Sequence, residues 1–268
     1  MSGNALEISR LSFAYDSRLK ILDEVSLTIP HGQVVAVMGG SGSGKTTLLR
    51  NICGQVSPTA DSEIVVLGQR LAGLSQHQMM QLRRHVGVLF QFGGLFTDLS
   101  IFDNVAFPLR EHFNLSTATI RDIVMLKLEG VGLRGSARLF PSELSGGMQR
   151  RVGLARAIAM DPKLILYDEP FAGLDPISLA ITARLIKSLN AALDATSIIV
   201  THDVAESLQI VDYVYLMWQG RIVAQGTPAE MQNSVQPYVR QFIDASTEGP
   251  LSFHQPAPTL AEDMGLMT

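Results

Sequence analysis

The sequence predicts an α/β fold in which helices cover a parallel sheet, with an N-terminal antiparallel β-layer and an inserted α-helical subdomain. Three observations support this prediction. Short apolar runs rich in β-branched residues, such as "QVVAVMG", are typical of strands buried on both faces. Helical patterns follow two of these runs, so strand and helix alternate along the chain. Between about residues 92 and 160 the pattern becomes mostly helical.

The N-terminal layer is predicted from two segments, 5–15 and 21–29, in which apolar and polar residues partly alternate. The stretch "DSRLK" separates them, which favours an antiparallel pair. Buried strands are predicted at 33–39, 163–170 and 196–202, and the helices that follow two of them at 46–54 and 177–193.

The helical subdomain is predicted from residues 117–133 and 146–160, where apolar residues recur at three- and four-residue spacing. After the last buried strand, residues 213–226 have the pattern of a β-hairpin that turns near Gln219 and Gly220.

The C-terminal stretch "EGPLSFHQPAP" is rich in proline and glycine and has no periodicity, which is typical of an extended tail. Leu251 and Phe253 within it are candidate apolar anchors on a partner. We therefore divide the chain into a folded domain, residues 1–245, and a tail, residues 246–268.

Composition limits the class of protein. The 268 residues are 46% hydrophobic, which is ample for a packed core. The net charge of −4 argues against a nucleic-acid partner, because no overall positive field would attract one. The single cysteine, Cys53, predicts a packed thiol in a reducing compartment. Neither a signal peptide nor a spanning helix is indicated, so we expect a cytosolic chain.

The first chemical motif is "GGSGSGKTT", which directly follows a predicted buried strand and opens a predicted helix. Glycines allow backbone N–H groups to surround a phosphate, the lysine neutralises its oxygens, and the threonine hydroxyl binds Mg²⁺. The positive end of the helix dipole adds to this attraction. The motif predicts a nucleoside triphosphate site formed by Gly39, Gly40, Ser41, Gly42, Ser43, Gly44, Lys45, Thr46 and Thr47.

A carboxylate pair ends the second buried strand, in "LILYDE". Asp168 is suited to hold Mg²⁺, and Glu169 to act as general base on an attacking water. A further anion site is predicted where Ser145, Gly146 and Gly147 open a helix in "LSGGMQRR".

These motifs, in this order, resemble those of the nucleotide-binding subunits of ABC transporters over about residues 5 to 245. "GGSGSGKT" resembles the family's Walker A motif, "LILYDE" its Walker B motif, and "LSGGM" its signature, with Met148 where glutamine is usual. The resemblance implies a P-loop ABC ATPase fold with a RecA-like core, and an ATPase that uses ATP and Mg²⁺.

The resemblance also implies roles for four further residues. Gln91 matches the Q-loop glutamine that contacts Mg²⁺ and the attacking water, and His202 matches the switch histidine that contacts the γ-phosphate. Asp175 matches the D-loop, and Tyr15 the aromatic residue that stacks on adenine. For Tyr15, a tyrosine that only packs in its strand is the alternative.

In this family two copies pair head to tail, and each signature closes on the partner's ATP, which would explain two anion sites in one chain. The strings "QFGGLFTDLSIFDNVAFPLREH" and "LEGVGLRGSARLFPSELSGGM" and the tail "DASTEGPLSF" further resemble the Mla-type ATPases of MCE phospholipid transporters. That resemblance implies a homodimer bound to a permease subunit, an MCE-domain subunit and a STAS-domain protein. It also implies the cytoplasmic side of an inner membrane.

Other classes fit the sequence less well. A soluble ABC protein of translation or DNA repair would carry two cassettes or a long coiled-coil insertion, and a GTPase would carry Asn-Lys-x-Asp. A non-catalytic module would be expected to lack Lys45 or Glu169. An importer of another small solute remains the alternative to a phospholipid transporter.

Overall fold

The larger of two β-sheets carries the predicted phosphate loop, the carboxylate pair and His202 at the ends of its strands. The structure, a computed structural model, describes residues 3–16, 20–59, 61–91, 93–250 and 260–264. Within these ranges the strands are β1 (Asn4–Ala14), β2 (Lys20–Pro30), β3 (Val34–Met38), β4 (Glu63–Val66), β5 (Gln69–Arg70), β6 (Val86–Leu89), β7 (Leu164–Asp168), β8 (Thr196–Thr201), β9 (Tyr213–Trp218) and β10 (Arg221–Gly226).

Helices surround these sheets and carry two of the motifs at their N-termini. Three-residue 3₁₀ turns at Arg134–Ser136 and Pro141–Glu143 precede the signature. The α-helices of the described residues are α1 (Lys45–Ile52), α2 (Gln76–Arg83), α3 (Ile101–His112), α4 (Thr117–Gly130), α5 (Gly146–Ala157), α6 (Pro176–Leu193), α7 (Val204–Leu208), α8 (Pro228–Gln232), α9 (Pro237–Ile243) and α10 (Leu260–Asp263).

The larger sheet has the strand order β10-β9-β3-β8-β7-β6, and all its pairs are parallel except β9 with β10. The predicted strands at 33–39, 163–170 and 196–202 are therefore confirmed as its centre. Because parallel strands end at the same edge, β3, β7 and β8 bring the phosphate loop, the carboxylate pair and His202 together there.

The smaller sheet is the predicted N-terminal layer, with the order β2-β1-β4-β5 and antiparallel pairing throughout. The predicted hairpin is also confirmed, as β9 and β10. Its turn residues, Gln219 and Gly220, both have positive φ, at 44° and 76°. Positive φ at both central residues gives the twist that a two-residue hairpin requires.

Two apolar cores lie on opposite faces of the larger sheet. Within β3, Val34, Ala36 and Met38 face one core, and Val35 and Val37 face the other. This alternation follows from the two-residue period of a strand. The first core includes α3, α4 and α5, which form the predicted helical subdomain, and the second joins the sheet to the N-terminal layer and α1.

Several features differ from the sequence prediction or add to it. The strands β4, β5 and β6 and the helix α2 were not predicted, and a helical turn, Leu260–Asp263, lies within the predicted extended tail. Leu251 and Phe253 lie outside the described residues. Cys53 is buried as predicted, and burial raises the pKa of its thiol to about 11. In the described part of the chain, no helix has both the length and the hydropathy needed to cross a bilayer.

Candidate functional site

The phosphate loop connects β3 to α1 and depends on glycine at two close approaches. A Cβ atom at Gly39 would lie 2.3 Å from the backbone oxygen of Met217. Gly44 caps α1 with φ of 104°, and a Cβ there would lie 2.9 Å from the backbone oxygen of Ile21. Residues with a side chain rarely adopt such a backbone conformation, and a Cβ would collide with the neighbouring backbone. The loop can therefore follow its path only with glycine at these positions.

The Lys45 side chain turns back into this loop. Its Nζ donates hydrogen bonds to the backbone oxygens of Gly39 (2.8 Å) and Gly40 (3.0 Å) and lies 3.4 Å from Oε1 of Glu169. Lys45 is only 6% exposed. A buried ammonium that faces loop carbonyls and a carboxylate can exchange these partners for phosphate oxygens, which form stronger, charge-assisted bonds.

Thr46 and Asp168 form an oxygen pair at the start of α1 and the end of β7. The Thr46 hydroxyl donates to Oδ1 of Asp168 over 3.1 Å. Burial raises the pKa of Asp168 above its ordinary value, and the Thr46 hydrogen bond partly opposes this. A hydroxyl and a carboxylate oxygen suit Mg²⁺, which prefers oxygen ligands. Gln91, the third predicted metal residue, is exposed, and its backbone oxygen is held by Arg150.

Glu169 lies between a cation and an imidazole. Its Oε2 lies 2.8 Å from Nδ1 of His202 and accepts from the His202 backbone N–H over 3.2 Å, while Oε1 faces Lys45. Glu169 is 9% exposed and has φ of 48°, a strained conformation for a residue with a side chain. A nearly buried carboxylate in this position can accept a proton from a water held at the edge of the sheet.

The residue after the histidine also joins this group. Ligand atoms of Glu169, His202 and Asp203 lie within 4.8 Å of one another. Asp203 was not predicted from the sequence, although it directly follows the predicted switch histidine.

Tyr15 presents an exposed aromatic face close to α1. The residue is 57% exposed, and its ring packs edge to face on Phe13, with 4.8 Å between centroids. Arg50 donates to its hydroxyl over 3.0 Å. The neighbouring Thr47 side chain, and to a lesser extent Arg50, lower the pKa of the phenol. An exposed ring held in this way beside the last phosphate-loop residue can stack on a base.

The predicted signature opens α5. Ser145 is its N-cap, and the Ser145 hydroxyl accepts from the Met148 backbone N–H over 3.3 Å. A Cβ at Gly147 would lie 3.1 Å from the Ser178 hydroxyl, in the first turn of α6. Among the described residues, no hydrogen bond joins Ser145–Gly147 to the phosphate loop. Hydrogen bonds and an ion pair thus link Lys45 and Glu169 to their neighbours, and among the described residues none of these contacts reaches Ser145–Gly147.

Asp175, the predicted D-loop residue, caps α6. Its Oδ1 accepts from the backbone N–H groups of Ile177 and Ser178, each over 3.0 Å. Hydrogen bonds from Ser178, and then from the Ile177 backbone, hold the pKa of Asp175 below its ordinary value. Asp175 thus fixes the first turn of α6 against the signature helix.

Arg150 is a second residue at the site, besides Asp203, that the sequence analysis missed. Arg150 is 7% exposed, and its guanidinium contacts the backbone at Gln91, Pro170 and Ala172. Its only sequence signal is an arginine in the second turn of the predicted signature helix.

Comparison with known proteins shows which proteins the chain is similar to. The family model described as ABC transporter matches residues 22–172. The intermembrane phospholipid transport system ATP-binding protein MlaF of Haemophilus influenzae is 48% identical over 264 residues, which cover 98% of this chain and 99% of that protein. The probable ribonucleotide transport ATP-binding protein mkl of Mycobacterium tuberculosis is 40% identical, over 99% of this chain and 74% of its own.

A solved structure extends the comparison to a nucleotide-bound state. The dimeric post-hydrolysis state of the ATP-binding cassette MJ0796, bound to ADP and Pi, has a TM-score of 0.76 and 28% sequence identity. The match covers 83% of this chain and 98% of that chain.

Proposed function

Because the chain belongs to the ATP-binding proteins of ABC transporters, we propose that it is the ATPase subunit of a transporter that moves phospholipid between the inner and outer membranes. The reaction is supported by the convergence of Lys45, Asp168, Glu169 and His202 at one sheet edge. The substrate is supported by the full-length similarity to a phospholipid-transport protein.

Binding of ATP is assigned to the phosphate loop, with Tyr15 stacking on the adenine. Lys45 exchanges its loop carbonyls for β- and γ-phosphate oxygens. Thr46 and Asp168, with Gln91, would hold Mg²⁺, which would supply positive charge that offsets the charge of the phosphates. These residues bind and orient the nucleotide and do not themselves react.

Hydrolysis is assigned to Glu169 as general base. Its carboxylate takes a proton from the water whose oxygen bonds to the γ-phosphorus, while the bond between that phosphorus and the β–γ bridging oxygen breaks and ADP and phosphate leave. His202 orients the carboxylate through the contact with Oε2. When phosphate replaces Glu169 as the partner of Lys45, the Oε1 atom becomes available to the water. The other ring nitrogen of His202 is proposed to contact the γ-phosphate.

The complete site is assigned to two copies of the chain. In the described part of one copy the signature makes no hydrogen bond to the phosphate loop, and we assign Ser145, Gly146 and Gly147 to contact the partner's ATP. Asp175 lies beside them, at the start of α6. The dimeric, ADP-bound relative supports this pairing.

The transporter is proposed to contain a permease subunit, an MCE-domain subunit and a STAS-domain protein, with no nucleic acid. The ATPase domain, residues 1–245, would be held by the permease on the cytoplasmic side of the inner membrane, and the tail, residues 246–268, would contact a partner. These partners follow from the resemblance to Mla-type ATPases.

The test is lipid transfer by the purified complex. The complex is reconstituted in vesicles with a labelled phospholipid, and transfer is followed with and without ATP, with the Glu169→Gln complex as the inactive control. We expect ATP-dependent transfer that the variant abolishes. Transport of a ribonucleotide or another small solute instead of lipid, with no MCE-domain protein in the purified complex, would favour the alternative importer.

A further inference from the structure

The guanidinium of Arg150 connects α5 by hydrogen bonds to two other segments of the catalytic site, one at Gln91 and one directly after Glu169. Its Nη2 donates to the backbone oxygen of Gln91 (2.8 Å), and its Nη1 donates to those of Pro170 (3.0 Å) and Ala172 (2.8 Å). Pro170 directly follows Glu169, and Ala172 lies three residues before Asp175. One side chain on α5, the signature helix, therefore holds both the loop that contains Gln91 (the Gln91 loop) and the segment that follows Glu169.

The same face of α5 packs against the Gln91 loop. Arg150, Gly153 and Arg156 are three residues apart, so they lie on one side of the helix. A Cβ at Gly153 would lie 2.8 Å from the backbone oxygen of Gly93, and Arg156 donates to that oxygen over 3.0 Å. The loop is thus packed tightly on the helix and hydrogen-bonded to it at two points.

Because Arg150 is buried, its three hydrogen bonds require an arginine at this position. Arg150 is 7% exposed, and its Nε is buried without a hydrogen-bond partner among the described residues. Burial lowers the pKa of the guanidinium, and the charge of nearby Asp203 opposes this. A planar fork can donate to three carbonyls at once, whereas a lysine ammonium on a flexible stem is a single point charge.

We propose that Arg150 is a positioning residue that couples the signature helix to the Gln91 loop and to the segment after Glu169, so that it sets turnover rather than ATP affinity. This inference rests on the proposed ATPase function. When the partner's ATP moves the signature at the N-terminus of α5, Arg150 in the second turn carries that movement to the loops of its own chain. Nucleotide binding by Lys45 does not pass through Arg150.

The first experiment measures ATP hydrolysis by the complete transporter as a function of ATP concentration. For Arg150→Gln we expect kcat to fall about 10- to 100-fold, as for a small misplacement of reacting groups. KM should stay within about 3-fold, because ATP binding is intact. Arg150→Lys should be intermediate. The matched control is Arg151→Gln, since the neighbouring Arg151 contacts the Val131 backbone instead, and it should stay within about 2-fold of the native kcat.

A structural role would give a different result. If Arg150→Gln lowered the unfolding temperature and weakened ATP binding along with kcat, the residue would be an ordinary packing contact and the proposal would be overturned. Should Arg150→Gln fail to fold, Arg150→Lys keeps the buried charge and provides the same comparison of kcat with KM. A native kcat in Arg150→Lys and Arg150→Gln would also overturn the proposal.

A double-mutant cycle tests the route of the coupling. If Arg150 acts through the Gln91 loop, Arg150→Gln should lower kcat much less in a Gln91→Ala background than in the native chain. If the fold-decreases in kcat caused by Arg150→Gln and by Gln91→Ala simply multiplied in the double variant, the proposal would be contradicted. If the native complex hydrolyses ATP and transfers lipid but the Arg150 variants match Arg151→Gln, only this inference fails. A native complex without ATPase activity would remove the proposed function and this inference together.

Discussion

Asp168 is a carboxylate whose catalytic position opposes the stability of the free protein. Burial raises its pKa, so the folded state binds its proton more tightly than the unfolded state does. Stability is therefore lost as the pH rises from the ordinary pKa through the raised one, and the full penalty is present at neutral pH. We attribute this unfavourable burial to the proposed role of the Asp168 carboxylate in holding Mg²⁺.

We predict that Asp168→Asn raises the thermal unfolding temperature of the nucleotide-free protein at neutral pH. The difference from the native protein should shrink as the pH is lowered below the ordinary pKa of an aspartate. Stabilisation by Mg²⁺ and ATP should be lost in the same variant. A lower unfolding temperature for the variant at neutral pH would contradict the assignment of burial as the dominant cause.

Tyr15 allows a separate test of base stacking. Tyr15→Ala should weaken ATP binding by about 1–3 kcal/mol, the range found for bases stacked on aromatic side chains. Tyr15→Phe keeps the ring and loses only the hydroxyl contacts with Arg50 and Thr47, so it should bind ATP almost normally. Equilibrium ATP binding measures both. Equal losses in the two variants would show that Tyr15 only packs in its strand.

Among the structural elements, the β9–β10 turn links three parts of the fold. The Gly220 backbone N–H donates to the backbone oxygen of Ser43 in the phosphate loop (3.1 Å). The Gly220 backbone oxygen accepts from the Asp23 backbone N–H in β2 (2.9 Å). A Cβ at Gly220, where φ is 76°, would lie 2.5 Å from the backbone oxygen of Ile21. Only glycine allows the turn, β2 and the phosphate loop to approach this closely.

Gly220→Ala should therefore destabilise the protein by about 1–3 kcal/mol, since the alanine meets backbone that cannot move freely. Gly68→Ala is the matched control, because Gly68 has φ of 75° in a similar turn and its Cβ would meet no atom within 4 Å. Denaturant unfolding compares them. A control variant that loses as much stability as Gly220→Ala would mean that the positive φ, and not the close approach, governs this turn.

The elements that the sequence predicted correctly are those in which local pattern and burial agree. β3 is wholly apolar, β7 is apolar up to its last residue, and β8 is buried throughout with the apolar run Ile198, Ile199 and Val200 at its centre. β6 is only four residues long, contains Gly87 and has two half-buried positions, so no pattern distinguishes it from a loop. The motifs proposed for ATP binding and hydrolysis could be recognised in the sequence because each occupies a few consecutive residues.

Arg150 could not be predicted in the same way. Its hydrogen bond to Gln91 joins residues 59 positions apart, and its acceptors are backbone oxygens, which leave no trace in the side-chain sequence. Only the folded arrangement of two loops on one helix face reveals that contact.

For the whole molecule, we propose that each catalytic site is built by two chains. Glu169→Gln keeps the shape of the side chain but loses its basicity, so turnover should fall about 10²- to 10⁴-fold. ATP should still bind, because Lys45, Thr46 and Asp168 are intact. Each bound ATP would then bridge the phosphate loop of one copy and the signature of the other, and the closed dimer should accumulate.

The most direct measurement is ATP occlusion, the amount of ATP that the Glu169→Gln transporter retains after rapid removal of free nucleotide. We predict stable retention at both sites of the dimer, and loss of that retention when Ser145→Arg is added, because the larger side chain blocks the approach of the signature to the phosphate. Unchanged occlusion in the double variant, or normal hydrolysis by Glu169→Gln alone, would contradict a site shared between two chains.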